Sequence, residues 1–473
     1  MTNIRVRFAP SPTGYLHIGG LRTALYDYLF ARRHLGKCIL RIEDTDQNRE
    51  VKGAAESLIN TLHDLGIDFD ESPRAGGEYA PYTQSQRLEL YHKHAGELLQ
   101  SGHAYRCFCS TDTLNRMREE QQAKGEFVKY DRRCLALSED EIQARLAANE
   151  PYVIRLKMPD DHRFAFDDVI RGHVEMEASQ SDDQVLVKSD GFPTYHLAAT
   201  VDDHYMHISH VIRGEEWLSS TPKHIWLYEC LGWTAPRWVH LPLILNADRS
   251  KLSKRMNDVS VESYLRKGYL KEALLNFVAL LGWHSADDRE LYSLEELCEA
   301  FDLERVNKAG AIFDLTKLDW MNGHYLRNLP LEVIADRARK YFTQYSIRDE
   351  EQYLAIISAA RERCTLLPEL ADYARMFLLP GEPNAEESEL LHQEASKKVL
   401  QWYSQHLADI EISDAEAINA LTKKGIAELG IKGKAFYTPL RLALIGQSHG
   451  PDLPNTFAIL GKQESLKRIS LYL

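Results

Sequence analysis

The sequence predicts an α/β domain that is built on a parallel sheet, interrupted by an insertion, and followed by an all-helical region. Two observations carry this prediction. Residues 1–100 alternate twice between a short apolar strand and a helix, which is typical of a parallel α/β sheet. Beyond about residue 325, the strand-like runs give way to the periodic apolar pattern of helices.

Each element of the first part follows from this alternation. A strand over residues 4–8 leads into a helix over 21–33, and a strand over 38–42 leads into a helix over 54–65. Residues 101–190 are more irregular, with three cysteines and short β-like runs at 152–157 and 184–187, so we treat this segment as an insertion. The α/β character returns over 191–233, with strand-like runs within 184–197 and 205–213.

The last part of the chain reads as helices. Periodic apolar patterns predict them over residues 331–345, 350–365, 385–406 and 414–429. Proline and glycine clusters at residues 380–383 and 446–451 separate these helices.

Composition narrows the class of protein. The 473 residues suggest two to four domains, and no apolar run is long enough for a membrane span. The N-terminus lacks an apolar signal core, and seven cysteines are too few for a disulfide framework, so we expect a cytoplasmic protein. Because the net charge is −13, contact with RNA would have to come from local basic clusters.

A histidine follows the first strand, at the start of a helix. The strand runs into the turn FAPSPTG at residues 8–14, and His17, Gly19 and Gly20 come next. Glycines remove side chains where a ligand approaches the positive end of a helix, and a histidine there can donate to phosphate oxygens. The alternative is a turn histidine that only caps the helix.

A basic loop, DRSKLSKR at residues 248–255, follows the second α/β segment. Lysine is a flexible point charge that can follow a polyphosphate as it separates from the reacting centre. The alternative is a solvated surface loop or a patch that contacts the RNA backbone.

Together, the two motifs resemble the HIGH and KMSKS signatures of class I aminoacyl-tRNA synthetases. Gly20 stands in place of the second histidine, as is common in the glutamyl branch. Further resemblance to that branch covers essentially the whole chain and lies at residues 7–14, 41–46, 192–198, 201–204, 211–217 and 437–444. Glutaminyl relatives usually end in β-barrels, whereas this tail reads as helical.

The resemblance implies a Rossmann-type catalytic domain with an α+β insertion and an all-α anticodon-binding domain. It implies this division: catalytic halves at residues 1–100 and 191–245, an insertion that contacts the tRNA acceptor end at 101–190, a lysine-loop and stem-contact region at 246–325, and the helical domain at 326–473. The implied reaction joins glutamate to tRNA through a glutamyl-adenylate, with Mg²⁺ accompanying ATP. We expect a monomer.

The resemblance also assigns roles to residues. Those implied to stabilise the reacting phosphates are His17, Lys251 and Lys254. Those implied to bind ATP are His17, Gly19, Gly20, Trp217, Leu243, Ile244, Lys251, Ser253 and Lys254. Those implied to bind glutamate are Arg7, Ala9, Ser11, Glu43, Tyr195 and Arg213. Each has a structural alternative: Arg7 could stabilise a strand end, the acidic run at 43–46 could be a solvated turn, and Tyr195 could belong to the core.

One position departs from the family pattern. Ala199 stands where the family usually has asparagine, so the pocket lacks one polar contact.

The insertion also carries a candidate metal site. Cys107, Cys109 and Cys134 could ligate zinc, which prefers four ligands. The resemblance implies Tyr130 or a water molecule as the fourth, because Ala136 occupies the position where some relatives have a histidine. The alternative is a relic of three packed thiols without metal.

Three rival classes fit less well. A nucleotidyltransferase of the same superfamily would be shorter and lack the lysine loop with a helical tail. A non-catalytic RNA-binding paralogue should have lost His17 or Lys254, and a glutamyl-queuosine enzyme would end near residue 300. The sequence is compatible with the tRNA for glutamate as the partner, alone or together with the tRNA for glutamine.

Overall fold

A computed structural model describes residues 4–126, 128–252 and 259–473. The chain divides into two compact units. Unit 1 comprises Met1–Ser263 and Leu275–Asp314, and unit 2 comprises Tyr264–Leu274 and Leu315–Leu473. Within the described ranges, no helix combines the length and the apolar character that crossing a bilayer requires.

Strands and helices are interspersed along residues 4–312. In chain order they are β1 Arg5–Phe8, α1 Ile18–Arg33, β2 Lys37–Leu40, α2 Ala54–Asp64, α3 Leu88–Gln100, β3 Ala104–Cys107, α4 Thr111–Ala123, α5 Glu139–Ala147, β4 Val153–Leu156, β5 Arg163–Asp168, β6 Gly172–Glu177, β7 Val185–Val187, α6 Tyr195–Tyr205, β8 His210–Gly214, α7 Thr221–Cys230, β9 Arg237–Leu241, β10 Ile244–Leu245, α8 Val261–Lys267, α9 Lys271–Ala279, α10 Leu294–Ala300 and β11 Ala311–Ile312. Each of the helices α8 and α9 is divided between the two units, after Ser263 and after Leu274 respectively.

The two predicted α/β halves meet in parallel sheets of unit 1. β1 pairs in parallel with β2, and β8 pairs in parallel with β9. β1 runs beside β8, where the Ser209 N–H donates to the Arg5 carbonyl at 2.8 Å. The apolar face of α1 covers the sheet, with Leu21, Leu25 and Leu29 fully buried. The predicted parallel α/β architecture is therefore present.

The insertion contains more regular structure than its sequence indicated. β3, β4 and β7 form a separate antiparallel sheet, and α4 and α5 were not predicted. A second difference concerns β5 and β6, which form a hairpin whose strand β5 pairs in parallel with β9. The four-stranded order is β6-β5-β9-β8, so part of the segment 101–190 extends the sheet of the second α/β half.

Unit 2 is helical in its described part. After the segment 264–274, its helices are α11 Leu315–Asn328, α12 Leu331–Ala338, α13 Glu350–Arg361, α14 Leu367–Leu378, α15 Ala385–His392, α16 Glu394–His406, α17 Ala415–Leu429, α18 Lys434–Ile445 and α19 Leu453–Ser470. Their apolar faces share one core, in which Tyr353, Phe377, Tyr403 and Phe436 are fully buried. The predicted helical tail is confirmed.

Two predicted helices of the tail differ from the structure. The helix predicted over 331–345 ends as an α-helix at Ala338 and continues only as a short 3-10 turn, Arg339–Tyr341. The helix predicted over 385–406 is broken at Gln393, whose ψ of 148° is extended. Neither end carries the proline or glycine from which a sequence pattern predicts a break.

Candidate active site

The described residues of the predicted ATP and glutamate sites meet in one cleft of unit 1. The cleft has a volume of about 1040 Å³ and is lined by residues at the carboxyl ends of β1 and β8, where parallel α/β sheets form ligand sites. From the predicted set it is lined by Arg7, Ala9, Ser11, His17, Gly19, Gly20, Glu43, Tyr195, Arg213, Trp217, Leu243, Ile244 and Lys251. Ser253 and Lys254 lie outside the described residues.

His17 is the N-cap of α1. Its Nδ1 accepts a hydrogen bond from the Gly19 backbone N–H at 3.0 Å. Because Nδ1 is an acceptor, the proton of a neutral ring is on Nε2, which can donate to an anion. The first turn of α1 contains no acidic residue that would neutralise the positive helix end. The capping role and the phosphate role are therefore compatible at this position.

The two glycines after His17 permit close packing at the start of α1. A Cβ on Gly19 would lie 3.3 Å from His17 Nδ1, and a Cβ on Gly20 would lie 3.3 Å from Leu16 Cδ1. Both positions are tighter than a side chain normally tolerates. The two glycines thus allow the His17 ring to pack against the start of α1, and they also keep this part of the cleft open.

Lys251 stands on the wall of the cleft with an exposed side chain. Its Nζ lies 3.9 Å from Glu216 Oε1, and its side chain is 60% exposed. Asn246 fixes the backbone here, since its Nδ2 donates to the Lys251 carbonyl at 3.2 Å. The charge of Lys251 is therefore near the cleft on a backbone that is held in place.

The chain beyond residues 253–258 returns directly to the His17 loop. The Ile18 N–H donates to the Val259 carbonyl at 2.9 Å, and the Val261 N–H donates to the Leu16 carbonyl at 2.9 Å. These bonds attach the residues that follow the lysine loop to the loop that carries the histidine. The residues that directly follow the second signature motif are thus neighbours of the first motif in the fold.

Trp217 and the segment after β9 form another part of the wall. The Trp217 ring lies 4.4 Å from the Tyr195 ring, centroid to centroid. The Leu243 N–H donates to Glu215 Oε1 at 2.8 Å, and the Ile244 carbonyl accepts a backbone hydrogen bond at 2.9 Å. The Leu243 N–H and the Ile244 carbonyl therefore have partners within the protein.

Arg7 already has a carboxylate partner. Its Nε and Nη2 donate to the two oxygens of Asp203 at 2.9 and 3.2 Å, and Arg41 Nη1 donates to Asp203 Oδ1 at 2.8 Å. Burial favours the neutral acid, but the two guanidinium groups outweigh it and lower the pKa of Asp203. The acidic pair at 202–203 lies in the family-like stretch 201–204, but its pairing with Arg7 was not predicted from the sequence.

Glu43 is buried beside the same network. Its Oε1 accepts from Arg41 Nη2 at 3.0 Å. Burial raises the pKa of Glu43 to about 7, although Arg41 and Arg7 oppose this shift. A carboxyl that titrates near neutrality is therefore available beside the position predicted for the substrate ammonium.

Arg213 is buried and surrounded by neutral groups. Its Nη1 donates to Tyr195 Oη and to His224 Nδ1, its Nε to His240 Nε2, each at 3.0 Å, and its Nη2 to Thr221 Oγ1 at 2.9 Å. Among the residues that the structure describes, no carboxylate forms an ion pair with Arg213. Arg213 thus differs from Arg7, whose charge is paired with the Asp203 carboxylate.

The histidines around Arg213 were missed by sequence reasoning. His240 faces Arg213 because β8 and β9 pair in parallel with these two residues in register. His196 follows Tyr195 in a quoted motif, and its Nδ1 lies 3.0 Å from His224 Nε2. No spacing along the chain indicates these contacts, so only the fold brings them together.

The remaining predicted glutamate residues are less engaged. Ser11 is exposed at the cleft, and Ala9 is half-buried. Ala199 is buried, 2% exposed, on α6 one turn after Tyr195. Ala199 does not itself line the cleft, whereas Tyr195 on the same helix does.

The insertion brings three thiols and a phenol together. The Sγ atoms of Cys107, Cys109 and Cys134 all lie within 4.8 Å of one another. Tyr130 Oη lies 3.3 Å from Cys107 Sγ and 3.4 Å from Cys109 Sγ, and it accepts the Cys134 N–H at 3.1 Å. All of the residues in this predicted ligand set are therefore adjacent.

The cluster fits the geometry of a tetrahedral zinc site. Zn–S bonds of about 2.3 Å place the sulfurs roughly 3.8 Å apart, and Cys109 Sγ and Cys134 Sγ are 3.5 Å apart. The Arg155 guanidinium lies 4.1 Å from the centre of the Tyr130 ring, which favours negative charge on the cluster. The arrangement could hold a metal ion.

Two family profiles match the chain. The profile described as tRNA synthetases class I (E and Q), catalytic domain, matches residues 3–320, and an anticodon binding domain profile matches residues 333–473. These matches agree with the order of a catalytic α/β region followed by a helical one.

Curated relatives and solved structures match over almost the full length. The glutamate–tRNA ligase of Alkaliphilus metalliredigens is 45% identical, over 99% of this chain and 98% of its own. That of Clostridioides difficile is 46% identical with the same coverage. The crystal structure of a glutamate tRNA ligase from Elizabethkingia meningosepticum, in complex with its amino acid, is 38% identical, superposes with a TM-score of 0.92, and covers 99% of both chains. The chain therefore belongs to the glutamate–tRNA ligases, a branch of the class I tRNA synthetases.

Proposed function

We propose that this enzyme ligates L-glutamate to tRNA in two steps within the cleft of unit 1. A carboxylate oxygen of glutamate attacks the α-phosphorus of ATP in line, and pyrophosphate leaves. The terminal ribose hydroxyl of tRNA then attacks the glutamyl-adenylate and releases AMP. No enzyme nucleophile is required, so the protein contributes positioning and charge stabilisation.

The observation that carries the proposal is that no described carboxylate pairs directly with Arg213. Burying a guanidinium without such a pair is costly, and a carboxylate of the substrate would supply the partner. Arg7, whose Nη1 makes only a 3.4 Å contact with the Ile212 carbonyl, would add a second donor. Glu43 would hold the substrate ammonium, while Ser11 and Tyr195 would offer hydroxyl groups and Ala9 would line the pocket.

ATP would occupy the part of the cleft around the start of α1. His17 Nε2, Lys251, Ser253 and Lys254 would stabilise the phosphates together with Mg²⁺, which accompanies the nucleotide. Gly19 and Gly20 would let the phosphates approach the helix, and Trp217 with the backbone around Leu243 and Ile244 would frame the adenine.

Substitution of Arg213 tests this assignment. Arg213→Gln should lower kcat/KM for glutamate. The loss corresponds to about 2–5 kcal/mol of transition-state stabilisation, because a buried charge pair would lose one partner. Arg163→Gln is the matched control, since Arg163 is exposed on β5 and pairs only with surface glutamates. Unchanged kcat and KM for glutamate in Arg213→Gln would overturn the assignment.

The phosphate roles are tested by ATP–pyrophosphate exchange in the presence of tRNA. Lys254→Ala should slow the exchange about a hundred- to a thousandfold, as expected for the loss of one preorganised donor. Lys124→Ala, an exposed lysine beyond α4, serves as the control. A change of tenfold or less in Lys254→Ala would contradict its role.

The nucleic-acid partner is proposed to be the tRNA for glutamate, with the anticodon read by the helical region from residue 326 onward. We also infer that residues 101–190 contact the acceptor end and that 246–325 contact the stem. Aminoacylation of purified tRNAs with labelled glutamate tests the partner. Charging of the tRNA for glutamate alone is expected of a discriminating enzyme, whereas charging of the tRNA for glutamine as well would identify a non-discriminating one.

We further propose that Cys107, Cys109, Tyr130 and Cys134 hold one structural Zn²⁺. Bound zinc would tie β3 to the turn around Cys134 and stabilise the insertion locally. Protein purified without chelator should contain about one zinc per chain, and Cys134→Ser should lose it while Cys230→Ser, an isolated cysteine of α7, retains it. Metal-free protein with three titratable thiols would show that the cluster is a relic.

A further inference from the structure

We propose that Asp168 and His240 are positioning residues that hold the Arg213 guanidinium in its orientation without neutralising its charge. This inference rests on the proposed role of Arg213 in binding glutamate. Neither residue touches the cleft itself, and both side chains are fully buried. They act on the substrate only through Arg213.

Asp168 reaches this position because the insertion contributes a strand to the catalytic sheet. It is the last residue of β5, which pairs in parallel with β9 at Trp238. Its Oδ2 accepts from His240 Nδ1 at 2.7 Å and from the His240 backbone N–H at 3.1 Å. Burial favours the neutral acid, but the hydrogen bonds from His240 and the backbone outweigh it and lower the pKa of Asp168.

The hydrogen-bond pattern fixes the tautomer of His240. Arg213 Nε is always a donor, so His240 Nε2, 3.0 Å away, must accept. The ring proton must then be on Nδ1, where the Asp168 carboxylate accepts it. Burial and the Arg213 charge lower the pKa of His240, so the ring stays neutral although Asp168 opposes this shift.

The opposite edge of the guanidinium is held in the same manner. His224 Nδ1 accepts from Arg213 Nη1, which places the His224 proton on Nε2 facing His196 Nδ1. Burial lowers the pKa of His224 well below its usual value, with the charge of Arg213 as a further cause, so this ring is also neutral. The neutral rings of His240 and His224 therefore each accept a hydrogen bond from a different edge of the Arg213 guanidinium.

The contrast with Arg7 shows what the arrangement achieves. Arg7 is held directly by the Asp203 carboxylate, which compensates its charge. At Arg213 the carboxylate of Asp168 is separated from the guanidinium by an imidazole. Asp168 thereby orients the Arg213 guanidinium through the hydrogen bonds of the His240 ring, while most of the positive charge of Arg213 is left for a ligand. An anionic substrate group is favoured at such a site over a neutral amide of the same shape.

Asp168 also has a local structural role that the test must separate. Its Oδ1 accepts from the backbone N–H groups of Ile170 and Arg171 at 2.9 and 2.8 Å, which closes the turn of the β5–β6 hairpin. Loss of these bonds could lower stability without any effect on Arg213. The matched control is Asp183, another buried carboxylate of the insertion, which accepts from Tyr105 and the Met158 N–H outside the cleft.

The experiment compares Asp168→Asn with Asp183→Asn by glutamate and ATP kinetics with tRNA present. Asp168→Asn should raise KM for glutamate about ten- to a hundredfold, the range for outer partners that orient a ligand, and leave KM for ATP within about twofold. The ¹⁵N shift of His240 Nε2 should move from an unprotonated toward a protonated nitrogen. Asp183→Asn should change neither, whatever its stability.

A second variant keeps the test decisive if Asp168→Asn is unstable. In Asp168→Asn/His240→Gln, the amide oxygen of the glutamine can accept from Arg213 Nε without any carboxylate, so KM for glutamate should return toward the wild-type value. A purely structural Asp168 would give no such rescue. An unchanged KM for glutamate in Asp168→Asn, or failure of the rescue, overturns the positioning role. Failure of the wild-type enzyme to use glutamate would instead overturn the proposed function, and the NMR comparison would still report the tautomer.

Discussion

Glutamate binding should depend on pH through the ionisation of Glu43. The carboxyl group is 6% exposed and has a pKa of about 7, because burial outweighs the attraction of Arg41 and Arg7 and because Asp203 adds negative charge nearby. In the empty cleft, roughly half of the molecules would carry a protonated Glu43 at pH 7. The ammonium group of the substrate requires the ionised form.

The direction of the change in glutamate affinity with pH follows from the linkage between binding and proton release. Below pH 7, binding must remove a proton from Glu43, so the affinity for glutamate falls as the pH falls. With a pKa of about 7, the ionised fraction is about 0.09 at pH 6 and about 0.91 at pH 8. KM for glutamate should therefore fall about tenfold from pH 6 to pH 8, which corresponds to roughly 1.4 kcal/mol, and stay constant at higher pH.

The assay is ATP–pyrophosphate exchange with saturating ATP and tRNA at half-unit pH steps. Glu43→Gln is the control, because an amide does not titrate and keeps the size of the side chain. Its KM for glutamate should be higher than that of the wild type and independent of pH. A flat wild-type profile, or the same slope in Glu43→Gln, would refute the reasoning and exclude Glu43 as the titrating group.

Three further predictions concern packing and charge. Ala199→Asn should strengthen glutamate binding by about 0.5–1.5 kcal/mol by restoring one hydrogen bond. A higher Kd for glutamate in this variant would mean that the pocket has been rebuilt around alanine. Gly425→Ala should lower the free energy of unfolding by about 1 kcal/mol, because the new Cβ would lie 2.8 Å from the Trp402 ring and overpacking outweighs the gain in helix propensity; an unchanged urea midpoint would contradict this. Arg7→Gln should destabilise the protein by about 3 kcal/mol, the lower end of the range for breaking a buried ion pair, because Arg41 still pairs with Asp203. Arg213→Gln should lower the free energy of unfolding far less, and equal losses would contradict the difference between the two arginines.

The parallel α/β halves and the helical tail could be predicted because their signals are local. The predicted first strand and helix, 4–8 and 21–33, overlap β1 and α1, and Pro380–Pro383 separates α14 from α15. The role of β5 could not be predicted, because its single register with β9 joins residues 168 and 238, and alternating burial looks the same in any hairpin strand. The break at Gln393 could not be predicted either, because glutamine is not a helix-breaking residue.

The candidate site shows the same division between local and distant information. Motifs identified the residues that line the cleft, because each motif is a short stretch of the chain. Partners such as Asp203 for Arg7 are 196 residues away and leave no trace in spacing. Ser253 and Lys254 lie outside the described residues, so their roles rest on the motif alone.

Two arginines that look equivalent in sequence therefore have different physical roles. Arg7 is balanced by Asp203, so its contribution to an empty cleft is chiefly structural. Arg213 keeps its charge because its partners are imidazoles and hydroxyls, so it is the group whose electrostatic energy changes most when an anion enters. If selectivity for glutamate over glutamine arises from charge, it must arise chiefly at Arg213, and substitutions at Arg7 should impair folding and both substrates alike. The ratio of kcat/KM for the two amino acids in Arg7→Gln and Arg213→Gln decides between these sources, because only the second variant should reduce that ratio substantially.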